Sequence, residues 1–131
     1  MKLTVDYIII FVPMLGICNT YKNEYLNEVN WKETLEQINL SKLDNLDLLC
    51  KVASFRGGND SCSSFLWCDK RELGFDPVPG LYQIIGHSPV PNIQIIGNNI
   101  FCDTHSTYRN GDPFGDKSYL VWNEKGFIIE N

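Results

Sequence analysis

Two histidines, His87 and His105, are all the imidazole this 131-residue chain offers. One good ligand does not hold a metal ion against water, so the chain cannot build a multi-histidine metal centre by itself. Neither a Gly-x-x-x-x-Gly-Lys loop nor a Ser-His-Asp order is present, which removes the P-loop nucleotide and triad-hydrolase readings. The five cysteines, at 18, 50, 62, 68 and 102, form no Cys-x-x-Cys pair. Their odd number and spacing argue against a zinc knuckle and against a closed disulfide framework. Reduced thiols in a cytoplasmic protein fit this pattern; Cys62 and Cys68 pair only in an exported chain. No basic stripe exists, and the net charge is −5, so nucleic acid is not an expected partner. The apolar run near the N-terminus is too short to span a bilayer, so no membrane is expected either. No repeat or low-complexity tract interrupts the sequence.

What remains is 44% hydrophobic and 12% aromatic, enough for one domain over residues 1–131 with a buried core. Lys2 and the run Tyr7 to Val12 outline a signal segment, but Asp6 interrupts it, Pro13 and Gly16 break it, and no small-x-small cleavage site follows. Residues 1–12 therefore read as a buried strand, Leu3 to Val12, with a loop from Pro13 to Thr20. Two helices follow. Asn30 caps the first, with Glu33 in the capping-box position and Trp31, Leu35 and Ile38 at helical spacing. The second covers Asp44 to Phe55, with Leu48, Leu49, Val52 and Phe55 on one side. Arg56 to Ser61 and Asp76 to Gly80 read as loops.

The last third reads as strands. Leu81 to Ile85 is a short buried strand that stops at Gly86-His87. Ile93 to Ile96 and Ile100 to Asp103 flank Gly97-Asn98-Asn99 in a tight hairpin. Ser118 to Trp122 and Phe127 to Glu130 flank Asn123-Glu124-Lys125-Gly126 in a second one. The expected class is α/β (α+β): one mixed sheet, about two helices and C-terminal antiparallel hairpins.

Gln83-Ile84-Ile85-Gly86-His87-Ser88-Pro89-Val90, continued by Gly97-Asn98-Asn99-Ile100-Phe101-Cys102-Asp103-Thr104, resembles the last metal-binding motif of the calcineurin-like metallophosphoesterases. The resemblance is to their Ser/Thr phosphatase-like, Gly-His-Thr-Pro branch. It extends over most of the chain and implies the C-terminal half of such an enzyme, a partial β-sandwich. The family holds two divalent ions, Mn, Fe or Zn, which activate a water for in-line attack on a phosphoester. Its Asp-x-His, Gly-Asp-x-x-Asp and Gly-Asn-His-Glu motifs are missing here.

The resemblance makes His87 a vestigial metal ligand. Aligned on Gly16, it puts Met14 where the family has a histidine, and a thioether is a poor replacement for imidazole on a hard ion. It points to Asp103, His105 and Arg109 as substrate-binding residues, Arg109 for its bidentate geometry on phosphate. Arg56-Gly57-Gly58 and Trp67 also resemble family positions. The implied function is that of a metal-dependent phosphoesterase portion, inactive alone because the first-half ligands are missing and the metals are not retained. The alternative is a non-catalytic binding or interaction module derived from that fold. A sheet lacking its partner layer is also expected to self-associate.

Overall fold

A computed structural model describes residues 8–11, 16–26, 29–40, 46–123 and 125–131. The chain divides into two compact units, one comprising Met1–Met14 with Gly80–Asn131, the other Leu15–Pro79. Among the described residues no helix is long and apolar enough to cross a membrane.

The first unit holds all the strands among the described residues. Strands β1 (Ile8–Phe11), β2 (Tyr82–Pro89), β3 (Gln94–Ile96) and β4 (Asn99–Asp103) form one mixed sheet in the order β1-β2-β4-β3. β1 runs parallel to β2 with Ile8 opposite Tyr82 and Phe11 opposite Ile85. β2 runs parallel to β4, and β3 closes antiparallel onto β4. Ile84, Ile85, Ile100 and Phe101 are buried, as a central parallel pair requires. The hairpin turn is Gly97-Asn98 alone, because Ile96 pairs with Asn99. Asn99, expected in the turn, is instead a buried strand residue whose amide oxygen accepts from Gln83 Nε2 at 3.3 Å. β5 (Tyr119–Asn123) and β6 (Gly126–Glu130) form the second expected hairpin as a separate two-stranded sheet.

The second unit is helical, with α1 (Asn19–Tyr25), α2 (Trp31–Leu40), α3 (Leu46–Leu49) and α4 (Lys70–Phe75). α2 is the helix expected after Asn30, whose carbonyl accepts from Thr34 N at 3.1 Å. The Leu35 and Ile38 side chains and all of Met14 lie outside the described residues. Ile17, Tyr21, Leu49, Phe65 and Leu73 form the core, with the Tyr21 and Phe65 rings meeting edge-on at 6.4 Å.

Two expectations are corrected here. The helix over Asp44 to Phe55 is only α3 followed by a 3₁₀ turn, Ser54–Arg56. Asp60 Oδ2 takes the Val52 N–H at 3.0 Å and Ser63 Oγ takes the Ala53 N–H at 3.0 Å, so a helical ladder loses its donors. Leu49 is buried as expected, whereas Phe55 is 44% exposed. The count of about two helices is also too low. α1 is capped from far along the chain, Asp76 accepting from Asn19 N through its carbonyl at 2.9 Å and from Thr20 N through Oδ2 at 2.7 Å. α4 is capped locally, Asp69 Oδ1 accepting from Arg71 N and Glu72 N at 3.0 and 3.1 Å.

Candidate functional site

The strand β2 does not stop at Gly86-His87 but runs through it as a bulge. Ile85 pairs with Phe101 and Pro89 with Asp103, so three residues of β2 stand against Cys102 alone. The surplus chain turns outward at His87, which is exposed and takes φ 61°, in the left-handed region. Cys102 Sγ donates to the Ile85 carbonyl at 3.3 Å, where the ladder is interrupted. Pairing resumes with Val90 N donating to the Asp103 carbonyl at 3.0 Å. Ser88 Oγ is buried inside the bulge with no hydrogen-bond partner.

A histidine at positive φ is strained, and such strain is held at functional sites by the surrounding packing. His87→Gly is therefore expected to raise stability by roughly 0.5–1 kcal/mol, while His87→Ala gains nothing because alanine keeps the Cβ clash. Urea midpoints of both variants measure this, and a loss of stability in His87→Gly would remove the strain.

Asp103 ends β4 and turns its carboxylate back on its own loop, both oxygens accepting from Ser106 Oγ at 2.9 Å. Thr104 is buried, its hydroxyl donating to the Ser118 carbonyl and lying 3.2 Å from His105 Nδ1. His105 is itself exposed and lines a shallow cavity of about 290 Å³ with Cys102, Tyr119, Leu120 and Trp122. Burial, then the charge of Asp103, pushes the Cys102 thiol up, so it is no thiolate nucleophile at neutral pH. Asp116 accepts from Ser118 Oγ at 2.6 Å and Ser118 N at 2.9 Å, which holds its carboxyl below the usual range. Arg109 sits at an exposed turn closed by Gly111 N donating to the Tyr108 carbonyl at 2.9 Å. It forms no ion pair among the described residues.

The structure thus joins Asp103 and His105 in one ordered loop and connects His87 to it through the Pro89–Asp103 pair. Arg109 belongs to the same loop but at its tip. The resemblance implies a divalent ion at His87, and the donor set does not fit one. Among the described residues His87 belongs to no group of three ligand-type side chains.

The second unit contains the group that sequence reasoning missed. Cys18, Cys68 and Glu72 are buried and place one sulfur each and a carboxylate oxygen within 4.8 Å of one another. Cys68 and Glu72 flank the Asp69 cap four positions apart, but Cys18 lies 50 positions before Cys68, so local spacing does not find the group. The Cys62 hydrogen bond pulls the Cys18 thiol down, but the Cys68 hydrogen bond and burial outweigh it and raise it. Cys62 is raised by the Cys18 hydrogen bond and by burial, Cys68 chiefly by burial. Without a cation these are inert, protonated thiols. No protein-family model, no curated protein and no solved structure matches the chain.

Proposed function

We propose that the chain is the C-terminal portion of a calcineurin-like metallophosphoesterase that binds no catalytic metal pair and does not turn over phosphoesters by itself. The observation that carries the reading is the parallel set β1-β2-β4. β1 ends at Phe11 beside Ile85, Ile85 pairs with Phe101, and just past that level β2 bulges at Gly86-His87 while β4 runs on to its last residue, Asp103. Strand ends of an open parallel sheet are where such folds carry their ligands. His87 is then a metal ligand by descent, and Asp103, His105 and Arg109 the remnant of a phosphoester-binding loop. Tyr119, Trp122, Ile128 and Ile129 are each nearly half exposed on the β5–β6 hairpin, which suits a sheet that a further layer covers. Five free cysteines suit a reducing compartment such as the cytoplasm.

The alternative, a binding or interaction module that kept the fold, is favoured by the apolar wall of the His105 cavity.

The reading is tested at Met14. Nickel titrated calorimetrically into the parent, Met14→His, and Met14→His with His87→Ala is expected to bind measurably more tightly to Met14→His alone. Two imidazoles at one strand edge then share an ion, still weakly because carboxylate and amide ligands are missing. Equal affinity in all three proteins would remove the alignment and the family reading with it.

A further inference from the structure

Cys18 immediately precedes α1 with an extended backbone, yet its side chain makes no capping bond. Asp76 performs that task, so the thiol is left facing Glu72 Oε1 at 3.5 Å and the Ser63 carbonyl at 3.8 Å. Cys68 is fixed by its N–H donating to the Ser64 carbonyl at 2.8 Å. Glu72 lies in the first turn of α4, which Asp69 locks. Backbone contacts therefore hold all three side chains at one point, and their exposures are 0, 0 and 1%. Cys62 is 2% exposed in the same unit.

The cluster contains an unexplained polar atom. Glu72 Oε1 accepts from Ser63 N at 2.6 Å, but Oε2 is buried with no hydrogen-bond partner. A carboxylate taken out of water requires donors or a cation on both oxygens. Sulfur and carboxylate ligands surround a tetrahedral zinc ion at about 2.3 and 2.0–2.2 Å, which places ligand atoms roughly 3.5–3.8 Å apart. Atoms already within 4.8 Å of one another reach that spacing by a small contraction. Thiolate donors select zinc over magnesium or calcium, and burial on every side leaves no open coordination position for a substrate.

We propose that Cys18, Cys68 and Glu72 hold a structural zinc ion within the Leu15–Pro79 unit. The ion links the segment before α1, the turn leading to Cys68 and the first turn of α4. The site is independent of the phosphoesterase reading, since it shares no residue with His87 or the Asp103 loop.

The full chain, reduced and stripped with a chelator, is titrated with Zn²⁺ against a chromophoric competitor and with Co²⁺ under absorption spectroscopy. One equivalent of zinc is expected, and cobalt is expected to give a thiolate charge-transfer band. Cys18→Ser and Cys68→Ser abolish the band, and Glu72→Gln weakens zinc at least about tenfold, since even outer-shell partners are worth that much. Cys50→Ser and Cys102→Ser leave both unchanged. Mass-spectrometric mapping of alkylation on the parent covers the case of variants that do not fold: zinc should protect Cys18 and Cys68 but not Cys50. A parent chain that binds neither ion, a band that survives Cys18→Ser with Cys68→Ser, or zinc that protects no cluster cysteine would overturn the proposal. None of these results bears on the nickel titration at Met14.

Discussion

Gly58→Ala is expected to cost the Leu15–Pro79 unit roughly 3 kcal/mol or more, among the larger effects of a single methyl group. A Cβ at position 58 would lie 1.9 Å from the Val52 carbonyl oxygen and 2.6 Å from Val52 Cβ. The oxygen cannot withdraw freely, because it accepts from Asp60 N at 3.1 Å. The same short segment is tied by Gly58 N to the Ala53 carbonyl, Ser54 N to the Asp60 carbonyl and Val52 N to Asp60 Oδ2. Lys51 Nζ adds an ion pair to Asp60 Oδ1 at 3.4 Å. Moving Val52 disturbs several of these bonds at once. Gly74→Ala is the control: nothing lies within 4 Å of its Cβ, and alanine in α4 is a better helix former by up to about 1 kcal/mol. The two substitutions should therefore shift the urea midpoint in opposite directions. A midpoint for Gly58→Ala equal to that of the parent would show that the Val52 to Asp60 turn is not closed as described.

In the strand-bearing unit the largest effect is expected from Phe101→Ala, a loss of about 3–5 kcal/mol. Phe101 is fully buried and stands between Ile85 of β2 and Gln94 of β3 in the middle of the sheet. Removing its ring leaves a cavity that neighbours held by ladder bonds on both sides cannot collapse to fill. Ile96→Ala, at a side chain 42% exposed on β3, should cost under about 1 kcal/mol. Chemical denaturation of both variants decides the point, and similar losses from the two would deny Phe101 its place in the core.

What the sequence made legible was local. β2, the β3–β4 hairpin and the β5–β6 hairpin follow from apolar runs interrupted by Gly and Asn, signals that act within a few residues. The helix after Asn30 likewise announces itself by its cap. Asp69-x-x-Glu72 carries a comparable signal for α4, Asp69 taking the N–H groups of Arg71 and Glu72. The overlong helix at Asp44 to Phe55 failed for the opposite reason. Its end is dictated by Asp60 and Ser63, whose side chains take the N–H groups of Val52 and Ala53. No window centred on Leu49 contains that competition.

The same division separates the candidate sites. His87 could be singled out by its Gly-His-Ser-Pro setting, but its outward bulge depends on how β4 pairs against β2, a matter of two strands rather than one. Asp103 accepts from Ser106, three residues on, an intraloop bond open to any Asp before Ser. The grouping of Cys18 with Cys68 and Glu72 arises only when α1, the turn before α4 and α4 itself have packed together.

The pairing of Ile8 with Tyr82 sets a delay into the protein's synthesis. The partners are 74 residues apart, and the whole Leu15–Pro79 unit is translated between them. At about 5–20 residues per second, the segment Ile8–Phe11 waits roughly 4–15 s for its partner strand to be made. The β3–β4 hairpin needs no such wait, so the sheet is expected to grow from its late-synthesised side, with β1 added last at its edge. During that interval an Ile-Ile-Ile-Phe strand is unpaired and free to join another chain. Yield of folded protein thus rests on the ribosome's pace and on whatever shields the emerging Ile8–Phe11 segment, rather than on the stability of the finished sheet.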